Sequence, residues 1–236
     1  MIKSIIKKIL FPNTYSSESY IKYLRNKGVT IGNGCFIWSP NKTVIDIQNG
    51  FLLEIGNYVK IAEGVKILNH DYSVSVARRK FHNHVGQAKK TIIGDNVFLG
   101  IDSIILAGSV IGNNTIVGAG SVVNGKFPDD VVIAGNPAKV ICTLEKFYDS
   151  KKKKELNDAR LFAEEFYQKY NRFPTAEEFG NAFAWLFLPR NKKTIDEYNC
   201  YFRLNGDNYN DIINDFMNSK ASFDSYDEFL KEITKK

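Results

Sequence analysis

Apolar and small residues recur every six positions from Ile93 to Val123. The hexads read IGDNVF, LGIDSI, ILAGSV, IGNNTI and VGAGSV, and the first position of each is aliphatic. The fifth position is small or β-branched, and Gly fills the second position in four of the five hexads. Positions one and five face the same side of an extended chain, while Gly, Asn and Asp permit sharp corners. The pattern therefore predicts very short strands that stack into a solenoid.

The aliphatic first positions should form the interior column of this solenoid. They are Ile93, Leu99, Ile105, Ile111 and Val117, followed by Val123. Residues 31–36 and 55–66 follow the same pattern more weakly. Ordinary short strands in a sandwich are the alternative, but five uninterrupted hexads favour the solenoid. Between the two blocks, residues 70–90 are polar and predict a loop that leaves the solenoid wall, where functional residues often lie.

Helices are predicted before the solenoid. An apolar stripe with helical spacing predicts a first helix through Ile2, Ile5, Ile6 and Ile9. Ser16 or Ser17 could cap a second helix, which should end at Gly28. We therefore assign residues 1–28 to helices that cap the solenoid and residues 29–147 to the solenoid itself.

Residues 148–236 are predicted to be an α-helical extension, and the sequence does not reveal its role. Apolar residues recur at helical spacing between positions 156 and 170. Thr175 with Glu178, and Ser225 with Glu228, each have the spacing of a capping box. Residues 207–217 read as a further helix. Aromatic residues at helical spacing are usually core, with a sugar site as the alternative.

Composition narrows the possible functions. The chain has 236 residues, 44% of them hydrophobic, and a formal net charge of +6. No apolar run reaches the roughly 18 residues that span a bilayer, and Lys7 and Lys8 interrupt the apolar N-terminus without a cleavage site after it. We therefore expect a cytoplasmic protein without membrane contact. The three cysteines form no CxxC pair, and beyond its charge the chain has no feature of a nucleic-acid-binding protein.

Four segments carry a resemblance to a known family. They are NHDYS (69–73), residues 93–100, VGAGSVV (117–123) and AGNPAKVI (134–141). Over about residues 15–147 the chain resembles the hexapeptide-repeat acyltransferases. Its nearest likenesses are the maltose, galactoside and xenobiotic acetyltransferases and the O-acetyltransferases of capsule and O-antigen synthesis. The resemblance implies a mainly β fold, a left-handed parallel β-helix. It also implies acetyl-CoA as acyl donor, a sugar-like acceptor, no metal, and a homotrimer with sites between subunits.

The resemblance implies that His70, in NHDYS, is the general base, a role that suits an imidazole near neutral pH. His82 and His84 have the i, i+2 spacing of a metal-binding pair but no acidic residue alongside. We interpret them as a solvated pair in the loop.

Neighbouring positions are candidates to bind the acceptor. Asn69 and Asp71 flank the general base, and either Asp71 or a backbone carbonyl could orient its imidazole. Phe98 occupies the position where the family usually has Trp, and it should shape the acceptor pocket.

Candidate contacts to coenzyme A follow from the same resemblance. Gly100, Ala119 and Gly120 would let the pantetheine arm approach the backbone closely. Lys139, in AGNPAK, matches a family position near the nucleotide phosphates. Some relatives carry a basic residue directly after the position of Val123, and in this chain the nearest basic residue is Lys126, three positions later.

The resemblance implies transfer of an acetyl group from acetyl-CoA to a sugar hydroxyl, in the synthesis of a surface polysaccharide, and we expect this transfer to be direct. N-acetylation of an amino sugar and acetylation of an antibiotic are the closest alternatives. A zinc hydratase, which needs three converging histidines, and a non-catalytic scaffold belong to other functional classes.

Overall fold

The structure is a computed structural model that describes residue 8, residues 10–203 and residues 206–235. It divides into two compact units, Met1–Phe147 and Tyr148–Lys236. The helix expected through Ile2, Ile5, Ile6 and Ile9 lies outside the described residues. In the described part of the chain, no helix has the length and apolar character needed to cross a membrane.

The first unit consists mainly of strands two or three residues long. In chain order they are β1 (Thr30–Ile31), β2 (Phe36–Ile37), β3 (Val44–Ile45), β4 (Leu53–Ile55), β5 (Lys60–Ile61), β6 (Lys66–Ile67), β7 (Thr91–Ile93), β8 (Phe98–Leu99), β9 (Ile104–Ile105), β10 (Val110–Ile111), β11 (Ile116–Val117), β12 (Val122–Val123), β13 (Lys126–Phe127), β14 (Val131–Gly135) and β15 (Ala138–Thr143). A short 3-10 helix, Gly50–Leu52, precedes β4.

The strands form three walls. Wall A has the order β1-β4-β7-β10-β13, wall B the order β15-β14-β11-β8-β5-β2, and wall C the order β12-β9-β6-β3. Neighbouring strands in each wall are parallel and one coil apart, except that β14 and β15 form an antiparallel pair. The predicted fold class, a left-handed parallel β-helix with helices before and after it, is confirmed.

The interior column is the one that the hexads predict. Ile93, Leu99, Ile105, Ile111, Val117 and Val123 are all at most 1% exposed. The fifth positions are buried as well, from Val97 to Ser121. In each two-residue strand the second side chain points inward and the first outward, so the strand pairs bring the aliphatic positions into register, as in Ile93 and Ile111.

The corners explain the rest of the hexad. Gly94 needs to be glycine, because a Cβ there would come within 2.9 Å of the Gly112 backbone in the next coil. Asn96 and Asn114 adopt left-handed backbone angles, with φ of 53° and 51°. Their side chains stack from coil to coil, since Asn96 Nδ2 donates to Asn114 Oδ1 over 2.9 Å.

One end of the stack is covered by α1 (Ser17–Asn26), which Ser16 caps as predicted. The Ser17 hydroxyl accepts the Ile37 N–H from wall B. Arg25 donates to the Ile31 carbonyl at the end of β1 in wall A. Tyr20 donates to the Thr43 carbonyl just before β3 in wall C. The helix thus supplies partners for backbone groups of the first coil beside all three walls.

The polar interval between β6 and β7 forms an exposed excursion that contains a helix, α2 (Val74–Phe81). The sequence predicted only a loop here. The helix is only eight residues long and buries none of its side chains, so the polar composition of the whole interval concealed it.

The second unit is helical. Its elements are α3 (Leu144–Tyr170), which begins in the last residues of the first unit, α4 (Ala176–Phe183), α5 (Lys192–Glu197), α6 (Tyr209–Asn218) and α7 (Tyr226–Thr234), with 3-10 helices at Ala184–Leu186 and Asn199–Phe202. An aromatic core holds them together, formed by Phe179, Phe187, Phe202, Phe216 and Phe229. The interpretation of these aromatic residues as core is confirmed for this cluster.

The capping predictions in this unit hold to different degrees. Thr175 and Glu178 form the predicted capping box at the start of α4. Ser225 accepts the Glu228 N–H at the start of α7, but the Glu228 carboxylate accepts from the Asp224 N–H instead. The second capping box is therefore only half formed. The six-residue helix α5 was not predicted, because it is too short to show a period.

Candidate functional site

His70 lies at the corner between walls C and A, three residues after β6. Its Nδ1 is hydrogen-bonded to the Asp46 carboxylate. The His70 side chain is 40% exposed, whereas that of Asp46 is 7% exposed. An imidazole at the surface is thus oriented by a hydrogen bond to a nearly buried carboxylate.

The strand register brings these two residues together. β3 pairs with β6 so that Ile45 lies beside Ile67. Asp46 directly follows Ile45, and the chain beyond Ile67 passes the same corner one coil later. Asp46 Oδ2 consequently also accepts the backbone N–H groups of Asn69 and His70, each over 3.1 Å.

These hydrogen bonds set the charge of Asp46. Burial alone raises the pKa of the Asp46 carboxyl. The backbone N–H groups of Gln48 and Asn69, together with His70, more than offset the burial, and the pKa of Asp46 is lowered overall. Asp46 is therefore ionised near neutral pH, and as an acceptor it holds the proton of the neutral imidazole on Nδ1. The other ring nitrogen, Nε2, is then the one that can take a proton.

Asn69 is buried next to this pair. Its side-chain amide donates to the backbone carbonyls of Asp46, over 3.2 Å, and Asn49, over 2.8 Å. Its Oδ1 is buried without a hydrogen-bond partner among the described residues. Asn69 was predicted to contact the acceptor, yet it is only 2% exposed, and its contacts fix the loop that carries Asp46.

Asp71 is exposed and points into the excursion. Its carboxylate accepts the backbone N–H and the hydroxyl of Ser73, over 2.8 and 2.9 Å. Of the two orienting groups considered from the sequence, Asp71 and a backbone carbonyl, neither contacts Nδ1, and Asp46 takes that place. Asp46 was missed because residues 38–43 interrupt the hexad rhythm before β3. Stacking Ile45 over Ile67 would have revealed it.

The candidate donor residues lie elsewhere on the solenoid. Gly100 follows β8 and Ala119 and Gly120 follow β11, so all three share the corner between walls B and C. Gly100 is buried, and a Cβ there would come within 2.6 Å of the Ala119 nitrogen. Gly120 is exposed, has φ of 65° and faces open space. This corner is therefore narrow on the inside and accessible on the outside.

The two candidate lysines are on different walls. Lys139 is exposed on β15, opposite Ala134 in wall B, the wall that leads to the glycine corner. Lys126 is exposed on β13 in wall A, opposite Val110. Phe98 lies on the outer face of wall B, between Lys60 and Ile116, and is 40% exposed.

His82 and His84 are both exposed in the excursion, and His82 ends α2 in a left-handed conformation. Within the described ranges, no group of three His, Cys, Asp or Glu side chains is close enough to hold a metal ion.

Comparisons with known proteins agree on one family. A family profile described as bacterial transferase hexapeptide (six repeats) matches residues 90–125. Protein CapG of Staphylococcus aureus is 40% identical over 146 residues, which are 59% of this chain and 84% of that protein. A galactoside O-acetyltransferase of Lactococcus lactis is 30% identical over 178 residues, 65% of this chain and 84% of that protein.

A solved structure is also similar. It is a hexapeptide-repeat-containing acetyltransferase of Vibrio cholerae in complex with acetyl coenzyme A, with 29% identity and a TM-score of 0.43. The match covers 50% of this chain and 61% of that one, which is less than two thirds of its length.

Proposed function

The chain belongs to the bacterial hexapeptide-repeat acetyltransferases, and we propose that it transfers an acetyl group from acetyl-CoA to a sugar hydroxyl. The observation that carries this proposal is the contact between the nearly buried Asp46 carboxylate and Nδ1 of the exposed His70. A hydroxyl is a weak nucleophile, so its acetylation needs a base, and an imidazole with a fixed tautomer supplies one.

In the proposed reaction, acetyl-CoA and the acceptor bind together, which lowers the entropic cost of their meeting. Nε2 of His70 takes the hydroxyl proton as the oxygen attacks the thioester carbonyl. The C–S bond then breaks, the sulfur takes the proton from His70, and coenzyme A leaves as the thiol. Asp46 stabilises the imidazolium that forms meanwhile and keeps the ring aimed at the acceptor. Asn69 acts through Asp46, by fixing its loop. Asp71 and Phe98 are the candidates for direct contact with the acceptor.

We propose that coenzyme A binds along the corner formed by Gly100, Ala119 and Gly120, with Lys139 near its phosphates. His70 lies at a different corner of the same chain, with wall C between them. A second copy packed beside the first can bring the donor corner of one to the His70 corner of the other. This geometry supports the proposal of a homotrimer with sites between subunits. Lys126, on wall A, would then reach coenzyme A only across such an interface.

The names of the relatives support a sugar as the acceptor. The galactoside O-acetyltransferase among them is named for a sugar acceptor. The segments NHDYS and AGNPAKVI resemble those of capsule and O-antigen O-acetyltransferases, and for this reason we place the reaction in surface-polysaccharide synthesis. N-acetylation of an amino sugar is the second candidate. A free amine is already a good nucleophile and has less need of a general base, so the Asp46–His70 pair favours a hydroxyl acceptor.

An acceptor screen tests this function. Acetyl-CoA is mixed with neutral sugars, acidic sugars, amino sugars and chloramphenicol-type alcohols, and release of the coenzyme A thiol is measured. We expect turnover with a sugar hydroxyl and an O-acetyl product by NMR. Turnover confined to amino sugars, with an N-acetyl product, would move the second candidate ahead.

A further inference from the structure

The second unit contains a cleft of about 630 Å³, lined by residues to which the proposed acetyl transfer assigns no role. Four segments line the cleft. They are α3 with Lys151, the 3-10 helix Ala184–Leu186 with Trp185, the loop after it with Arg190, and the segment after α6 with Lys220. We propose that this cleft, the Arg190 cleft, binds an acidic saccharide. The aromatic side chains would stack on the sugar ring, and the cations would bind its carboxylate or phosphate.

Arg190 is the fixed cation of the cleft. Its guanidinium donates to the carbonyls of Trp185, over 2.6 Å, and Leu188, and to the Ser219 hydroxyl over 3.2 Å. It also lies 4.3 Å from the centre of the Phe216 ring. A guanidinium has five N–H donors, so one on each terminal nitrogen is still available for a ligand.

The charge of Arg190 is not neutralised locally. Burial lowers the pKa of Arg190, although a guanidinium stays protonated at any physiological pH. In the part of the chain that the structure describes, no carboxylate forms an ion pair with it. A half-buried cation that is already held in place can bind an anion at a small cost in side-chain entropy.

Trp185 provides the stacking surface. Its ring is half-buried and meets the Phe216 ring edge-on at 5.4 Å, which fixes its orientation. Among the described residues its indole N–H has no hydrogen-bond partner. An apolar ring face beside an available N–H donor matches a sugar, which has C–H groups on its faces and hydroxyls at its edge.

The charge balance selects an acidic ligand over a neutral one. The lining contains four cations, Lys151, Lys152, Arg190 and Lys220, against two acids, Glu155 and Asp158. Lys152 and Glu155 pair with each other over 2.6 Å. Without counting Lys151, the two cations Arg190 and Lys220 still exceed the one remaining acid, Asp158. A volume of about 630 Å³ lies within the usual range for small-ligand sites, about 300–1,000 Å³.

An acidic saccharide bound here can be a part of the acceptor polymer itself. The chain would then raise the local concentration of its own acceptor without adding contacts at His70. This last link rests on the proposed function, whereas the binding does not.

Tryptophan fluorescence gives a direct test. The chain has two tryptophans, Trp38 and Trp185, so in a Trp38→Phe variant the emission comes from Trp185 alone. Titration with hexagalacturonate should change this emission saturably, and the neutral hexasaccharide maltohexaose should leave it unchanged. The absence of any saturable change with hexagalacturonate would overturn the proposal, and so would an equal response to both sugars.

Matched charge reversals separate a built site from general attraction of an anion. Lys220→Glu, in the cleft, should raise the Kd for hexagalacturonate about tenfold, which corresponds to about 1.4 kcal/mol. Lys231→Glu makes the same charge change on α7, outside the cleft lining, and should leave the Kd within twofold. Equal weakening by the two variants would show non-specific attraction and refute the site. His70→Ala should bind hexagalacturonate like the wild type, so failure of catalysis and failure of binding are distinguishable.

Discussion

Asp46 and His70 are 24 positions apart in the chain, yet the Asp46 carboxylate is hydrogen-bonded to the imidazole at one corner of the solenoid. Neither residue lies in the uninterrupted hexads from Ile93 to Val123. Their contact is produced by the pairing of β3 with β6, which places equivalent corners of successive coils side by side. Two irregular coils of the solenoid therefore place an imidazole against a carboxylate, the contact on which the proposed base depends.

Replacing the base tests this role. His70→Ala should reduce kcat by about 10²–10⁴-fold, the usual contribution of a positioned general base. Binding of acetyl-CoA, measured by calorimetry, should be retained. His82→Ala and His84→Ala serve as controls and should be nearly silent. Near-normal turnover of His70→Ala on the true acceptor would contradict the mechanism.

Asp46→Asn should lower kcat by about 10²-fold, because an amide in place of the carboxylate no longer fixes the imidazole or stabilises its protonated form. The KM for acetyl-CoA should stay within twofold. Asp71→Asn makes the same change one residue after His70. Because the Asp71 carboxylate bonds to Ser73 and not to the imidazole, this variant should keep kcat, and a lost acceptor contact should appear only in the KM for the acceptor. If the two variants behaved alike, Asp46 would have no orienting role.

Lys139→Ala should raise the KM for acetyl-CoA about tenfold, as expected for the loss of a charged hydrogen bond worth about 1.5 kcal/mol. The acceptor KM should hardly change. With the acetyl thioester of dephospho-coenzyme A as donor, the effect should shrink if the contact is to the 3′-phosphate. Lys22→Ala, an exposed lysine on α1, is the control. An unchanged donor KM for Lys139→Ala would remove this residue from the site.

The interior register can be tested at two adjacent positions. Ile111 is buried and Val110 faces outward on the same strand. Ile111→Asp would bury an unpaired carboxylate and should prevent cooperative folding, whereas Ile111→Val should cost only about 1 kcal/mol of unfolding free energy. Val110→Asp should fold. Circular dichroism during thermal unfolding distinguishes these outcomes, and a cooperative melt for Ile111→Asp would contradict the register.

Glu178 predicts a pH dependence of the second unit. Hydrogen bonds from Arg172, joined by the capping interaction with Thr175, lower the pKa of Glu178 from 4.5 to about 2. A lowered pKa means stabilisation that is complete above pH 4.5 and is lost as the pH falls towards 2. Glu178→Gln should therefore melt at a lower temperature than the wild type at pH 7, and the difference should narrow steadily below pH 4.5. A difference that stayed constant down to pH 2.5 would show that the carboxylate charge is not responsible.

The sequence predicted the fold where the local signal repeats. The five hexads from Ile93 share an aliphatic first position and a small or β-branched fifth position, and four of them have Gly second, so local preference and packing agree from coil to coil. Prediction failed where a single contact decides the structure. Asp46 has no neighbour in sequence that marks it, and its role depends on a register between coils that are separated by an irregular corner.

Prediction from sequence has the same limit in the second unit. Thr175 with Glu178 was predicted because both residues lie within one helical turn. The Arg190 cleft was not, because Trp185, Arg190 and Lys220 belong to separate segments, and only the packed structure brings them together.

The contacts at the two ends of the solenoid have a consequence for how the protein can vary in length. Side chains of α1 hydrogen-bond to backbone groups of the first coil. At the other end, the antiparallel strand β15 pairs with β14, the last parallel strand of wall B. The parallel stacking of coils in wall B therefore stops at β14, because β15 runs antiparallel to it. Between the two ends, in contrast, the coils are interchangeable units. Insertion or deletion of a whole three-strand coil in the regular array would change the length of the solenoid, and with it the distance between His70 and the corner proposed to bind coenzyme A, while leaving both ends intact.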